Sequence, residues 1–291
     1  MIKILKLLGT IVLLWLVFRV VDGRQVAATV VSADMMLLLL ALLFQLASTL
    51  TAAIRWSMVM TGLDFHEACL FYIRSYFKGS FFNQALPGSI GGDAVKLFEV
   101  SRQGYPKSDS FFGIAIDRLM GIVGLLLLNL TATLLAPGLF PPWLTQLIIT
   151  LSTVGLAGFA VLVLLRQSFL LNRIPGSALL FGFSMRLKRL FQQRRQVGEQ
   201  LLLSVVVHIF SILAVFCLAR AVGLTYSPLL FMVAVPPVLM LTILPISLAG
   251  WGIREGAMVG IFVLVGAAKA TVLSVSILYG LLFWLRSPEP L

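Results

Sequence analysis

Asp93 and Lys96 follow the string Leu86-Pro87-Gly88-Ser89-Ile90-Gly91-Gly92, and Arg254 and Glu255 close the string Leu244-Pro245-Ile246-Ser247-Leu248-Ala249-Gly250-Trp251-Gly252-Ile253. The two strings read as loose copies: Leu-Pro, a serine two residues after the proline, then glycines and charge. Proline lacks an N–H and glycine is permissive, so each string breaks a helix. A broken helix exposes unpaired backbone N–H groups and a positive dipole end, which suit an anion. Lys96 can add a charge-assisted bond and Arg254 a forked one. Pro87, Gly88, Gly91, Gly92, Pro245, Ser247, Gly250 and Gly252 are therefore candidate binding positions beside the charged residues. The chemistry they offer is recognition of a phosphate-bearing headgroup. The alternative is that proline and glycine only let helices turn and pack. Unwound backbone at membrane depth survives only where protein or a cavity lines it, which favours the binding role.

Other polar residues fall on helical faces. Asp93 reads either as a helix N-cap or as a ligand. Glu255 reads as a first-turn acid or as a partner of Arg254. A cationic aminoacyl headgroup would use either acid as its counter-charge. Over 69–86, Arg74, Ser75, Lys78, Gly79 and Asn83 share about half the helical circumference, which predicts one wet face beside a cavity or at the interface. Over 110–136, Gly113, Asp117, Gly121 and Gly124 line up, and small residues on one face let helices approach. Asp117 is an intramembrane acid beside Arg118. It reads as functional or as an ion pair with Arg118 or Arg55. His208 reads as a packed, hydrogen-bonded histidine rather than a proton relay.

These residues must be held by membrane-embedded helices. Of 291 residues, 60% are hydrophobic and 11% charged, and the mean hydropathy is +1.05. Apolar stretches of about 20 residues predict spans over 4–21, 35–56, 110–136, 143–165, 198–219 and 268–286. Two long broken segments lie between them, at 68–103 and 226–262. No stretch is left for a soluble domain, so residues 1–291 read as one membrane domain. The first apolar run resembles a signal peptide but lacks a clear cleavage site, and reads as a retained span. Cys69 and Cys217 read as small buried apolar residues.

The loop 166–196 carries seven bases, Arg166, Arg173, Arg186, Lys188, Arg189, Arg194 and Arg195, and no acid. Positive charge favours the cytoplasmic side, so this loop and both termini are expected there. The net charge of +11 fits this topology and contact with anionic lipid, and no nucleic-acid motif accompanies it. Counting spans from this loop opens the two broken segments to opposite sides, an inverted-repeat arrangement. Within the loop, Leu180, Phe183, Leu187, Leu190 and Phe191 share one helical face, which predicts a helix in the headgroup plane or a plain linker.

Four blocks carry a family resemblance. The run from Gly79 through Asn83, Leu86-Pro87-Gly88 and Gly91-Gly92-Asp93 to Lys96 resembles the flippase-like membrane family typified by the transmembrane region of lysylphosphatidylglycerol synthases. Arg55-Trp56, Asp117-Arg118 with Gly121, and Pro245, Ser247, Gly250, Gly252, Arg254 and Glu255 fit in order. The resemblance implies an all-helical fold with re-entrant helices and a role in moving or presenting lipids. In bifunctional members a soluble aminoacyl-transferase domain follows. This chain reads through to Ser287-Pro288-Glu289-Pro290-Leu291 without one, so no transferase activity of its own is expected.

The expectation is an all-α polytopic membrane protein with about six full spans and two re-entrant hairpins in inverted repeat. It would sit in a bacterial or archaeal-type plasma (inner) membrane. Its function would be to move an anionic or aminoacylated phospholipid, or a polyprenyl-phosphate-linked precursor, through a midplane headgroup site. The alternatives are a membrane-embedded lipid-modifying enzyme and a subunit that scaffolds a lipid-synthesis enzyme. A homo-oligomer or such an enzyme is a candidate partner. No phosphate-loop, metal-ligand or nucleophile motif is present, so no metal or other cofactor is expected. Lys96 and Arg254, 158 positions apart, are expected to face one polar cavity.

Overall fold

A computed structural model of the chain describes residues 10, 12, 15, 19, 21–85, 91–164, 177–192, 194–243 and 250–285. Eleven helices and no strand are found among them. In chain order they are α1 (Gly23–Val31), α2 (Met35–Gly62), α3 (Cys69–Ala85), α4 (Gly91–Arg102), α5 (Lys107–Leu135), α6 (Pro142–Leu164), α7 (Ser177–Gln192), α8 (Arg194–Ala221), α9 (Pro228–Ile243), α10 (Ile253–Val263) and α11 (Lys269–Leu285). The strings 86–90 and 244–249 lie outside the described residues, and with them Pro87, Gly88, Pro245 and Ser247. Most of the expected span 4–21 lies outside as well.

Helices α2, α5, α6 and α8 are long and apolar enough to cross a membrane. They contain the expected spans 35–56, 110–136, 143–165 and 198–219 to within a residue or two at their ends. The expected span 268–286 is α11, an apolar helix of 17 residues that runs to the last described residue. Helix α1 was not expected. Asp22 caps it by accepting from the Arg24 N–H, and Val26 on its inner face packs on Leu273 of α11.

The centre of the bundle is the pairing of α2 with α8. Small and polar residues make it close: Ser48 donates to the Val207 carbonyl at 2.9 Å, and its hydroxyl lies 2.9 Å from that of Ser211. Hydroxyl bonds between apolar helices satisfy groups that lipid cannot. Helix α5 packs on both through its glycine face. A Cβ at Gly113 would fall on the Met60 sulfur of α2, and one at Gly124 would come within 2.8 Å of the Ser204 backbone of α8. The small-residue stripe on 110–136 is thus a helix-packing face.

Helix α7 corrects the reading of the basic loop. The helix forms, but its apolar face is not left to lipid. Leu187 and Leu190 are buried against Val59, Ile116 and Met120, with Phe183 and Phe191 at the edge. Around that contact Arg186 pairs with Asp109 and Arg189 with Asp64. Cys69 is also corrected: it is exposed, while Cys217 is buried.

Candidate functional site

Helices α3 and α4 form an antiparallel hairpin whose contact depends on glycine. A Cβ at Gly92 would fall on the Gly79 carbonyl oxygen, and one at Gly79 would lie 2.9 Å from the Gly92 oxygen. Asn83 accepts the Gly92 N–H at 2.7 Å. Gly92 therefore serves backbone contact between the two helices.

The hairpin splits the polar side expected on 69–86 in two. Arg74 and Lys78 point outward, and Lys78 pairs with Glu99 at 2.9 Å. Ser75 is fully buried, Gly79 contacts Gly92, and Asn83 turns inward. The inward side meets α2, α5 and α8 at a cavity of about 320 Å³. Of the candidate residues, Arg55, Asn83, Asp93, Lys96, Asp117 and Arg118 line it. Four separate stretches of sequence converge there.

The charges in the cavity are ordered. Arg55 Nε donates to Asp117 Oδ1 at 2.9 Å, Nη2 to the Asp117 carbonyl at 3.2 Å, and Nη1 to Ser204 at 3.2 Å. Both side chains of this ion pair are at most 5% exposed. Gly121 makes room for it, since a Cβ there would stand 3.2 Å from Arg55 Nη2. The sequence left Asp117 with Arg118 or Arg55 as partner; the partner is Arg55. Arg118 pairs instead with Asp93. Asp93 is thus no N-cap: it sits in the first turn of α4, which begins at Gly91.

Lys96 has a different environment. It is 6% exposed, and no carboxylate of a described residue is within ion-pair reach of it. Its Nζ lies 3.6 Å from the Tyr76 ring centroid and 5.0 Å from that of Trp56. Aromatic faces hold a cation without neutralising it. Tyr72 meets the Trp56 ring edge-on at 5.0 Å and braces it from behind.

Several lining residues were not singled out in the sequence: Gln45, Ser48 and Thr49 of α2, Ser80 of α3, Ser211 of α8 and Thr242 of α9. A signal existed. Gln45, Ser48, Thr49, Ala52 and Arg55 recur at helical spacing within an apolar span, as do Ser204, His208 and Ser211. His208 lines the cavity and donates from Nε2 to the Gly121 carbonyl at 2.9 Å.

The second motif forms a separate, closed cluster at the start of α10. Gly250 and Gly252 have φ of +80° and +86°, a left-handed conformation that favours glycine. Glu255 takes both roles expected of it. Its Oε2 accepts the Gly252 N–H at 2.6 Å, and its Oε1 accepts from Arg254 Nη2 at 2.6 Å, Arg254 Nε at 3.0 Å and Ser276 at 3.1 Å. Arg254 lies over the Trp251 ring at 4.7 Å. The two charged residues are 3% and 0% exposed. Lys96 faces the cavity as expected; Arg254 is not among its lining residues, because Glu255 holds it locally. Tyr279 stands between the clusters, lining the cavity with its ring centroid 6.0 Å from Arg254 Cζ. Among the described residues no group of acids, histidines and cysteines could hold a metal.

The family described as the lysylphosphatidylglycerol synthase TM region matches residues 3–286. No curated protein matches the chain significantly. The match spans nearly the whole chain, so the protein belongs to that family. It is an integral membrane protein of a group tied to membrane lipids.

Proposed function

We propose, with membership of that family as the premise, that the protein is a lipid transporter carrying a phospholipid or lipid-linked headgroup across the bilayer. The observation that carries this reading is the cavity. Five charged side chains line a space among helices whose outer faces are apolar. Charge at membrane depth is costly and marks a pathway or a site. A headgroup would enter the cavity while its acyl chains stay in the bilayer.

The short helices support two re-entrant hairpins. Over their described residues, at 1.5 Å per residue, α3 and α4 reach about 26 and 18 Å, and α9 and α10 about 24 and 17 Å. All fall short of a core about 30 Å thick. Two such hairpins, α3–α4 and α9–α10, fit an inverted repeat whose halves rock about the cavity. The basic loop and both termini belong on the cytoplasmic side of a plasma membrane. A cysteine at Ser177 should therefore resist impermeant reagents in intact cells, and labelling there would overturn the topology. The protein makes no lipid itself and uses no cofactor in this reading.

The test is purified protein in sealed vesicles holding a trace of tail-labelled lipid. Leaflet exchange faster than in protein-free vesicles, with the lipid recovered unmodified, supports transport. Incubation with charged tRNA and phosphatidylglycerol should give no aminoacyl lipid. A covalently changed lipid would make the protein an enzyme.

A further inference from the structure

The balance of charge around the cavity narrows its guest, granted the transport reading above. Three bases and two acids line it. Arg55 is committed to Asp117 and Arg118 to Asp93. With two acids against three bases one positive charge is left over, and Lys96 is the base without a carboxylate contact, held by the faces of Tyr76 and Trp56 with Asp93 acting on it only through space. The strings 86–90 and 244–249, outside the described residues, contain no acid that could balance it. Of the eleven acids in the chain only Glu289 lies outside the described residues. His208 donates to a carbonyl from Nε2, as a neutral imidazole can. An unmatched buried charge is costly, and a guest of opposite sign relieves that cost.

The remaining wall supplies hydrogen bonds. Gln45, Ser80, Asn83 and Thr242 line the cavity. Gln45 is 2% exposed, and its Oε1 has no hydrogen-bond partner among the described residues. That atom is an acceptor in want of a donor, and a headgroup hydroxyl would satisfy it. A cationic headgroup would need a carboxylate, and both carboxylates here already hold a guanidinium. Taking one would leave an arginine unpaired in the interior.

We propose that the cavity selects a lipid whose headgroup carries one net negative charge and free hydroxyls, a polyol phosphodiester, and disfavours the cationic aminoacylated form. Lys96 engages the phosphodiester oxygen, and Gln45 accepts from a hydroxyl.

The experiment uses the full chain in phosphatidylcholine vesicles with trace tail-labelled phosphatidylglycerol, lysyl-phosphatidylglycerol or phosphatidylcholine. Phosphatidylglycerol should exchange about tenfold faster than the lysyl lipid, the scale of one well-placed charge contact. Lys96→Gln should bring it to the rate of phosphatidylcholine, and Lys96→Arg should keep the preference. Thermal unfolding of both variants identifies loss through misfolding. Should Lys96→Gln unfold, Gln45→Leu serves instead, and should narrow the gap between phosphatidylglycerol and phosphatidylcholine. If the lysyl lipid exchanges as fast as phosphatidylglycerol, or faster, the assigned class is wrong while transport stands. A preference that survives Lys96→Gln overturns the role of Lys96. If no lipid moves faster than in protein-free vesicles, the transport reading fails and takes this inference with it.

Discussion

Midway along α4, Lys96 keeps its ammonium on aromatic faces beside a cavity; at the start of α10, Arg254 is neutralised by the residue next to it. Both clusters grow from similar strings of Leu-Pro, serine, glycine and charge. The difference lies in where the acid falls. Asp93 precedes Lys96 by three positions and is drawn across to Arg118. Glu255 directly follows Arg254 and closes on it, on Ser276 and on the Gly252 N–H. One motif leaves a base without a carboxylate contact beside the cavity, which suits the guest proposed above, and in the other the charges close on each other and on a helix end. Motif similarity therefore does not carry over to role: the spacing of the acid from the base decides it.

The largest expected effect falls on the closed cluster. Glu255→Ala strands a buried guanidinium and an uncapped N–H, and should cost about 3–5 kcal/mol. Thermal unfolding in detergent reads this directly, and a variant within 1 °C of the parent would show that the cluster is not closed. Gly92→Leu comes next. Its side chain meets the Gly79 carbonyl, so it should separate α3 from α4 and cost about 1–3 kcal/mol. Loss of exchange with stability intact would show instead that the glycine makes room for a ligand. Lys96→Gln should do the opposite, cutting exchange of phosphatidylglycerol about tenfold while stability moves by less than about 1 kcal/mol. The smallest effect is expected at Lys78, whose side chain is 50% exposed in its pair with Glu99. Lys78→Ala should cost about 0–1 kcal/mol and leave exchange unchanged. A drop at Lys78 as large as that at Lys96 would erase the distinction between the outer and inner faces of α3.

The apolar runs made the long helices legible, because about 20 apolar residues leave the chain few options in a membrane. The four-block resemblance located the family. Asn83, Asp93, Lys96, Asp117 and Arg118 were legible as charge or amide in apolar context. The partners of those residues were not. Arg55 chooses Asp117 rather than another acid because Gly121 makes room for its guanidinium, a fact of packing between helices 62 positions apart. The face of α3 divides for a related reason: helical periodicity gives an angle but not the neighbour. Lys78 and Asn83 fall on one half of the wheel, and the α4 hairpin sends one out and the other in. The Gln45–Ser48–Thr49 stripe is readable by period alone, as polar residues at helical spacing in an apolar span.

Helix α7 is fastened in two ways that respond differently to the medium. Leu187 and Leu190 are at most 2% exposed on the bundle, an attachment that salt does not weaken. The Arg186–Asp109 and Arg189–Asp64 pairs stand 32–58% exposed and are subject to screening. The Debye length falls from about 8 Å at physiological ionic strength to about 3 Å at 1 M. High salt thus frees the helix to pivot about its leucine anchor without releasing it, so the turn after α2 that holds Asp64 and the start of α5 that holds Asp109 gain freedom in brine that the cavity does not share.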